Sequence, residues 1–182
     1  DTMDISGIQK MTLLDYPGKA ACTVFLAGCN LRCPFCHNAP LVLEMPDPVM
    51  SEAEFFAFLN RRKGLLDGVC VTGGEPTLRR DLEQFLRNIK ALGFLVKMDT
   101  NGSNPGLLAR LLDENLLDYV AMDIKNCPQR YRATCGGTDI LENVEQSLAL
   151  LQNSGVEFEL RTTCVKPFHD KAALEAIGQW LS

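Results

Sequence analysis

Apolar residues along the chain fall into short runs, and these alternate with segments of helical spacing. Ala21 to Ala27 (ACTVFLA) is apolar and rich in β-branched residues, which predicts a strand. Ser51, with Glu54 at the capping-box position, predicts a helix that stops near Gly64. The alternation then repeats. Strands are expected at 67–72, 94–98, 119–124 and 156–165. Helices are expected at 79–92, 105–115, 141–153 and 171–181, the first of these with Leu82, Phe85, Leu86 and Ile89 on one face. Residues 126–139 read as a loop rich in Cys, Pro and Gly. Residues 3–19 read as an irregular or hairpin lead-in, because Gly7, Pro17 and Gly18 interrupt any helical period.

Five βα units in succession predict parallel strands joined by right-handed crossovers. The strands are largely apolar, as expected when helices cover one face and a cavity or packed layer the other. The polar clusters fall just after strands, where α/β folds bind ligands. A Rossmann fold would place G-x-G-x-x-G after the first strand, and a cysteine loop stands there instead. The fold class expected is therefore α/β, an open, partial (β/α) barrel. It would form one domain over 1–182, with 1–20 as lead-in and 21–182 as barrel.

Composition narrows the function classes. The 182 residues are 46% hydrophobic, enough for one sizeable core, and carry a net charge of −5 with no dense basic stretch. Neither a nucleic-acid footprint nor a polybasic membrane anchor is indicated. The apolar runs are strand-sized, and no signal-peptide pattern precedes them. Eight cysteines in that setting suit a reducing, cytoplasmic interior, where thiols serve metals and packing before disulfides.

The chemistry concentrates in Cys29, Cys33 and Cys36, spaced C-x3-C-x2-C, with Phe35 before the last. Gly28, Asn30 and Pro34 allow the backbone to curl around a metal. Structural zinc is normally closed by four ligands, and a [4Fe-4S] cluster is usually held by four cysteines. Three cysteines leave one iron open to a cosubstrate. A zinc knuckle borrowing His37 is the rival reading of the same residues.

This loop resembles the signature of the radical S-adenosylmethionine (SAM) enzymes. Together with LLDYPGK (13–19), the run from Gly28 to Asn38, GGEP (73–76), DTNG (99–102) and DIK (123–125), it makes nearly the whole chain similar to the activating enzymes of glycyl radical enzymes. Within that group it most resembles activators of the anaerobic (class III) ribonucleotide reductase and, more distantly, of pyruvate formate-lyase. Such proteins usually carry a sixth βα unit or strand, and the sequence stops after the fifth helix, which suggests truncation.

The resemblance implies a [4Fe-4S] cluster on Cys29, Cys33 and Cys36, and a SAM site formed by Asn38, Gly73, Gly74, Glu75, Asp99, Asp123, Lys125 and Arg161. It also implies a monovalent cation at Asp99, Thr100 and Asp123, and contact between Asp15 and the partner's glycyl loop. From the residues alone, Gly73-Gly74-Glu75 could be a helix-entry turn, Asp99 and Asp123 turn or cap residues, and Asp15 the cap of the Pro17-Gly18 turn. Cys22, Cys70 and Cys164 lie within apolar strands and read as core residues. Cys127 and Cys135 share a loop with too few ligands for a second cluster.

The function implied is reductive cleavage of SAM at the cluster and abstraction of a Cα hydrogen from one glycine of a large partner, with a flavodoxin- or ferredoxin-type protein as electron donor. No general acid or base is needed, consistent with two histidines and no Ser-His-Asp pattern. The alternatives are a radical SAM enzyme acting on a small molecule or peptide, and a non-enzymatic iron-sulfur or zinc module.

Overall fold

A computed structural model describes residues 3–44 and 46–182. Six strands form one sheet in the order of the chain: β1 (Gly7–Thr12), β2 (Ala21–Leu26), β3 (Gly68–Gly73), β4 (Leu95–Thr100), β5 (Tyr119–Asp123) and β6 (Glu157–Arg161). β2 to β6 are parallel, and β1 pairs antiparallel with β2. The lead-in thus supplies a sixth strand, but as a hairpin edge and not as a sixth βα unit. The sheet is an open α/β arrangement.

The helices are α1 (Ala39–Leu43), α2 (Glu52–Arg61), α3 (Leu82–Ala91), α4 (Pro105–Asp113), α5 (Tyr131–Thr134), α6 (Leu141–Ser154) and α7 (Lys171–Leu181). Ser51 caps α2 through the capping box expected of it, its hydroxyl accepting from the Glu54 N–H while Glu54 accepts from the Ser51 N–H. Two segments differ from the sequence reading. The last strand ends at Arg161 instead of Val165, where the chain turns so that the Phe168 and His169 N–H groups donate to the Val165 carbonyl. The 126–139 loop holds a 3-10 turn (Pro128–Arg130) and the short α5, whose Tyr131 packs against Trp180 of α7.

Alternation along each strand divides the core. Val24, Val71, Val96, Met98, Val120 and Met122 turn outward and pack with Phe55, Phe85, Leu86, Leu111 and Val144 of the helices. Across the other, concave face, the register sets Thr23, Cys70, Lys97, Tyr119 and Glu157 side by side. Tyr16, Ala21 and Cys70 form a second, smaller buried cluster with Leu95 and Tyr119. Among the described residues, no helix is long and apolar enough to cross a membrane.

Candidate active site

The carboxyl ends of β2 to β6 surround a cavity of about 490 Å³. The cysteine loop follows β2 and is fixed by backbone bonds to its neighbours. The Gly28 N–H donates to the Leu41 carbonyl at 3.0 Å, and the Glu75 N–H donates to the Gly28 carbonyl at 2.8 Å. Gly74 has to be glycine, because a Cβ there would lie 1.9 Å from the Gly28 oxygen. At Gly73, where φ is +123°, a Cβ would meet the Leu26 oxygen at 2.2 Å. The glycine pair therefore lets the end of β3 pass directly under the cysteine loop, with its backbone facing the cavity.

Cys29, Cys33 and Cys36 all line this cavity, with Phe35, His37 and Asn38 beside them. Three thiols distributed over one concave wall suit a body of several iron atoms. Among the described residues, no three His, Cys, Asp or Glu side chains close on a single-ion site. Burial raises the Cys29 thiol above its ordinary value. Cys33 is drawn down to about 7, chiefly by the neighbouring Cys135 thiol and then by the Lys125 charge, against the opposing effect of burial. Cys135 is pushed up by the same contact.

Opposite the thiols lies a chain of charges. Asp99 is the next-to-last residue of β4 and Asp123 ends β5, and Arg161 at the end of β6 reaches both, 3.3 Å from Asp99 Oδ2 and 3.4 Å from Asp123 Oδ1. Lys125 Nζ lies 2.9 Å from Asp123 Oδ2. Burial works against the charges of Lys125 and Arg161, but the adjacent carboxylates prevail and raise both pKa values. Two cationic side chains are thereby held charged on the cavity wall. Asn38 closes the ring, donating through Nδ2 to the Gly73 carbonyl at 2.7 Å.

Eleven of the thirteen nominated residues line this cavity: the three cysteines, Asn38, Gly73, Gly74, Asp99, Thr100, Asp123, Lys125 and Arg161. Glu75 and Asp15 do not. The Glu75 side chain is buried beneath the cavity, where it accepts from Thr77 N–H, Thr77 Oγ1, Thr100 Oγ1 (2.8 Å) and Asn101 N–H (2.7 Å). It ties the end of β3 to the end of β4. Asp15 accepts from Thr23 Oγ1 at 2.6 Å, deeper along β2.

Sequence reasoning missed Asn101, which lines the cavity and donates through Nδ2 to Asn30 Oδ1 at 3.0 Å. The quoted DTNG stretch contained it; nothing local pairs it with the cysteine loop. It also missed Cys135 as a neighbour of Cys33.

The sequence profile of the Radical SAM superfamily matches residues 23–178, a span that begins within β2 and ends within α7. The chain belongs to the radical SAM superfamily. As a radical SAM enzyme it is assigned that family's cofactors, a [4Fe-4S] cluster and S-adenosylmethionine, and the thiol trio and glycine cradle fit them. Two relatives from Methanocaldococcus jannaschii carry the provisional name glycyl-radical enzyme activating enzyme. One is 36% identical, covering 96% of this chain and 74% of its own; the other is 27% identical, covering 100% and 68%. Among solved structures, QueE from Escherichia coli shares the radical SAM fold with a TM-score of 0.54 at 16% identity, over 98% of this chain and 89% of that one.

Proposed function

We propose that this radical SAM enzyme activates a glycyl radical enzyme, and that its partner is the large chain of an anaerobic ribonucleotide reductase. The observation that carries the reading is one cavity lined by three thiols, a backbone cradle and two paired cations, in a chain 36% identical to a provisionally named activating enzyme. When bound, the cluster and SAM supply reductive cleavage that ends in removal of a hydrogen atom from a glycine Cα. The protein's part is binding and positioning.

Gly73 and Gly74 bring peptide groups to the SAM amino group, and Asn38 fixes the Gly73 carbonyl that faces it. Lys125 and Arg161 meet the SAM carboxylate, held in place by Asp99 and Asp123. Phe35, tilted against the Phe168 ring 5.3 Å away and edge-on to His169 at 5.7 Å, covers one side of the thiols with aromatic surface and limits water there. Asp15 would meet the partner's glycyl loop from the concave face, and a flavodoxin- or ferredoxin-type protein would deliver the electron in the cytoplasm.

The test is electron paramagnetic resonance after anaerobic incubation of the reconstituted protein with SAM, a reductant and the reductase large chain. A glycyl radical signal that requires all components is expected. 5′-Deoxyadenosine formed without that signal, when the partner is present and intact, would overturn the assignment in favour of a small-molecule or peptide substrate.

A further inference from the structure

We infer that Lys97 and Arg161 are built-in counter-cations for the Asp99 and Asp123 pair, so that SAM binds this chain without help from a monovalent metal ion. The inference rests on the SAM site proposed above and specifies how that site balances its charge.

Two carboxylates at one cavity need positive charge between them. The oxygens that could ligate a metal ion supplying that charge are already engaged. Asp99 Oδ1 receives Lys97 Nζ at 2.6 Å, and Asp99 Oδ2 faces Arg161 at 3.3 Å. Asp123 Oδ1 faces Arg161 at 3.4 Å, and Asp123 Oδ2 receives Lys125 Nζ at 2.9 Å. Every carboxylate oxygen of the pair has a cationic partner. The Thr100 hydroxyl, the third nominated ligand, donates to Glu75 at 2.8 Å and accepts from the Gly102 N–H at 3.2 Å.

Lys97 is the unusual member. It is only 1% exposed, sits between Cys70 and Tyr119 in the strand register, and runs up the concave face to Asp99, with Nζ 6.0 Å from the centre of the Tyr119 ring. A buried ion pair is costly to assemble, and an apolar side chain of similar volume would commonly serve stability as well or better. An ammonium held there beneath the cavity is explained by the carboxylate above it. Lys97, Arg161 and Lys125 against Asp99 and Asp123 leave one positive charge in excess, which matches one incoming carboxylate.

SAM affinity, measured by equilibrium dialysis of the reconstituted protein in potassium, sodium and choline chloride at equal ionic strength, tests this directly. Dissociation constants that agree within about twofold are expected, since choline is too large to replace a chelated metal ion. Tightening of about tenfold by potassium or sodium would overturn the inference. Absence of SAM binding in all three salts would instead remove the site reading itself, and the inference with it.

Two variants add a second arm. Lys97→Ala vacates the space beside Asp99, so it should bind SAM about tenfold more weakly in choline and recover in potassium or sodium. Lys97→Met keeps the space filled, and should weaken without recovering. Wild-type affinity of Lys97→Ala in choline would overturn the role of Lys97. Should that variant fail to fold, the wild-type salt series and Lys97→Met decide the matter.

Discussion

Glu75 illustrates how one side chain can set a site without facing it. Its carboxyl lies wholly inside the protein, and burial raises its pKa although four donors from Thr77, Thr100 and Asn101 oppose the shift. Glu75→Gln is nearly the same shape but replaces one acceptor oxygen with an NH2 group, which must face N–H or O–H donors. A buried donor left without an acceptor costs about 1–3 kcal/mol. Urea unfolding should show a lower midpoint with an unchanged slope, and SAM affinity should fall as the Thr100-Asn101 turn loosens. A midpoint equal to wild type would mean that the network adjusts around the amide. At this scale the sequence was partly legible. GGEP marked the position, and its two readings are a site motif and a helix-entry turn; Glu75 does cap the turn at Pro76–Leu78, but a donor from a strand 25 residues away decided that its carboxylate is buried.

At the scale of elements, helix boundaries followed from local chemistry wherever a cap was present. Ser51 and Asp170 both accept from the N–H three residues on, and the predicted starts of α2 and α7 agree with the structure. Asp170 also makes a pH prediction. The Ala173 N–H and then Arg130 hold its carboxylate below the ordinary 3.8. A depressed folded value means that its contribution is fully present above 3.8 and is lost as the pH falls through the lower, folded value. Asp170→Asn keeps an N-cap but removes the titration, so the acid limb of a stability-versus-pH curve should be shallower in the variant. Identical acid limbs would refute this. The short α1 and α5 were not legible, because a helix of four or five residues leaves no hydrophobic period to read.

For the whole molecule, the question is what holds the cysteine loop when no cluster is bound. The outer core is apolar and continuous from Met3 to Ile177, and the loop is fixed by backbone bonds from Gly28 and Glu75 and by the Arg32 N–H donating to the Cys135 carbonyl at 3.3 Å. A zinc finger, by contrast, is unfolded without its metal. Iron chelation under anaerobic conditions should therefore leave the far-UV circular dichroism and the urea midpoint of this chain close to those of the loaded protein. Loss of the cooperative transition on chelation would show that the cluster, and not the sheet, organises the fold.

Sequence alone determined the succession of βα units and the chemical inventory at the strand ends, because strand runs, caps and the C-x3-C-x2-C spacing are local patterns written in neighbouring residues. Tertiary structure decided which of those groups meet. Arg161 lies between Asp99 and Asp123, and Cys135 comes against Cys33. Each pairing depends on strand register or on loops far apart in the chain, and a one-residue slip in register would send every side chain of that strand to the opposite face.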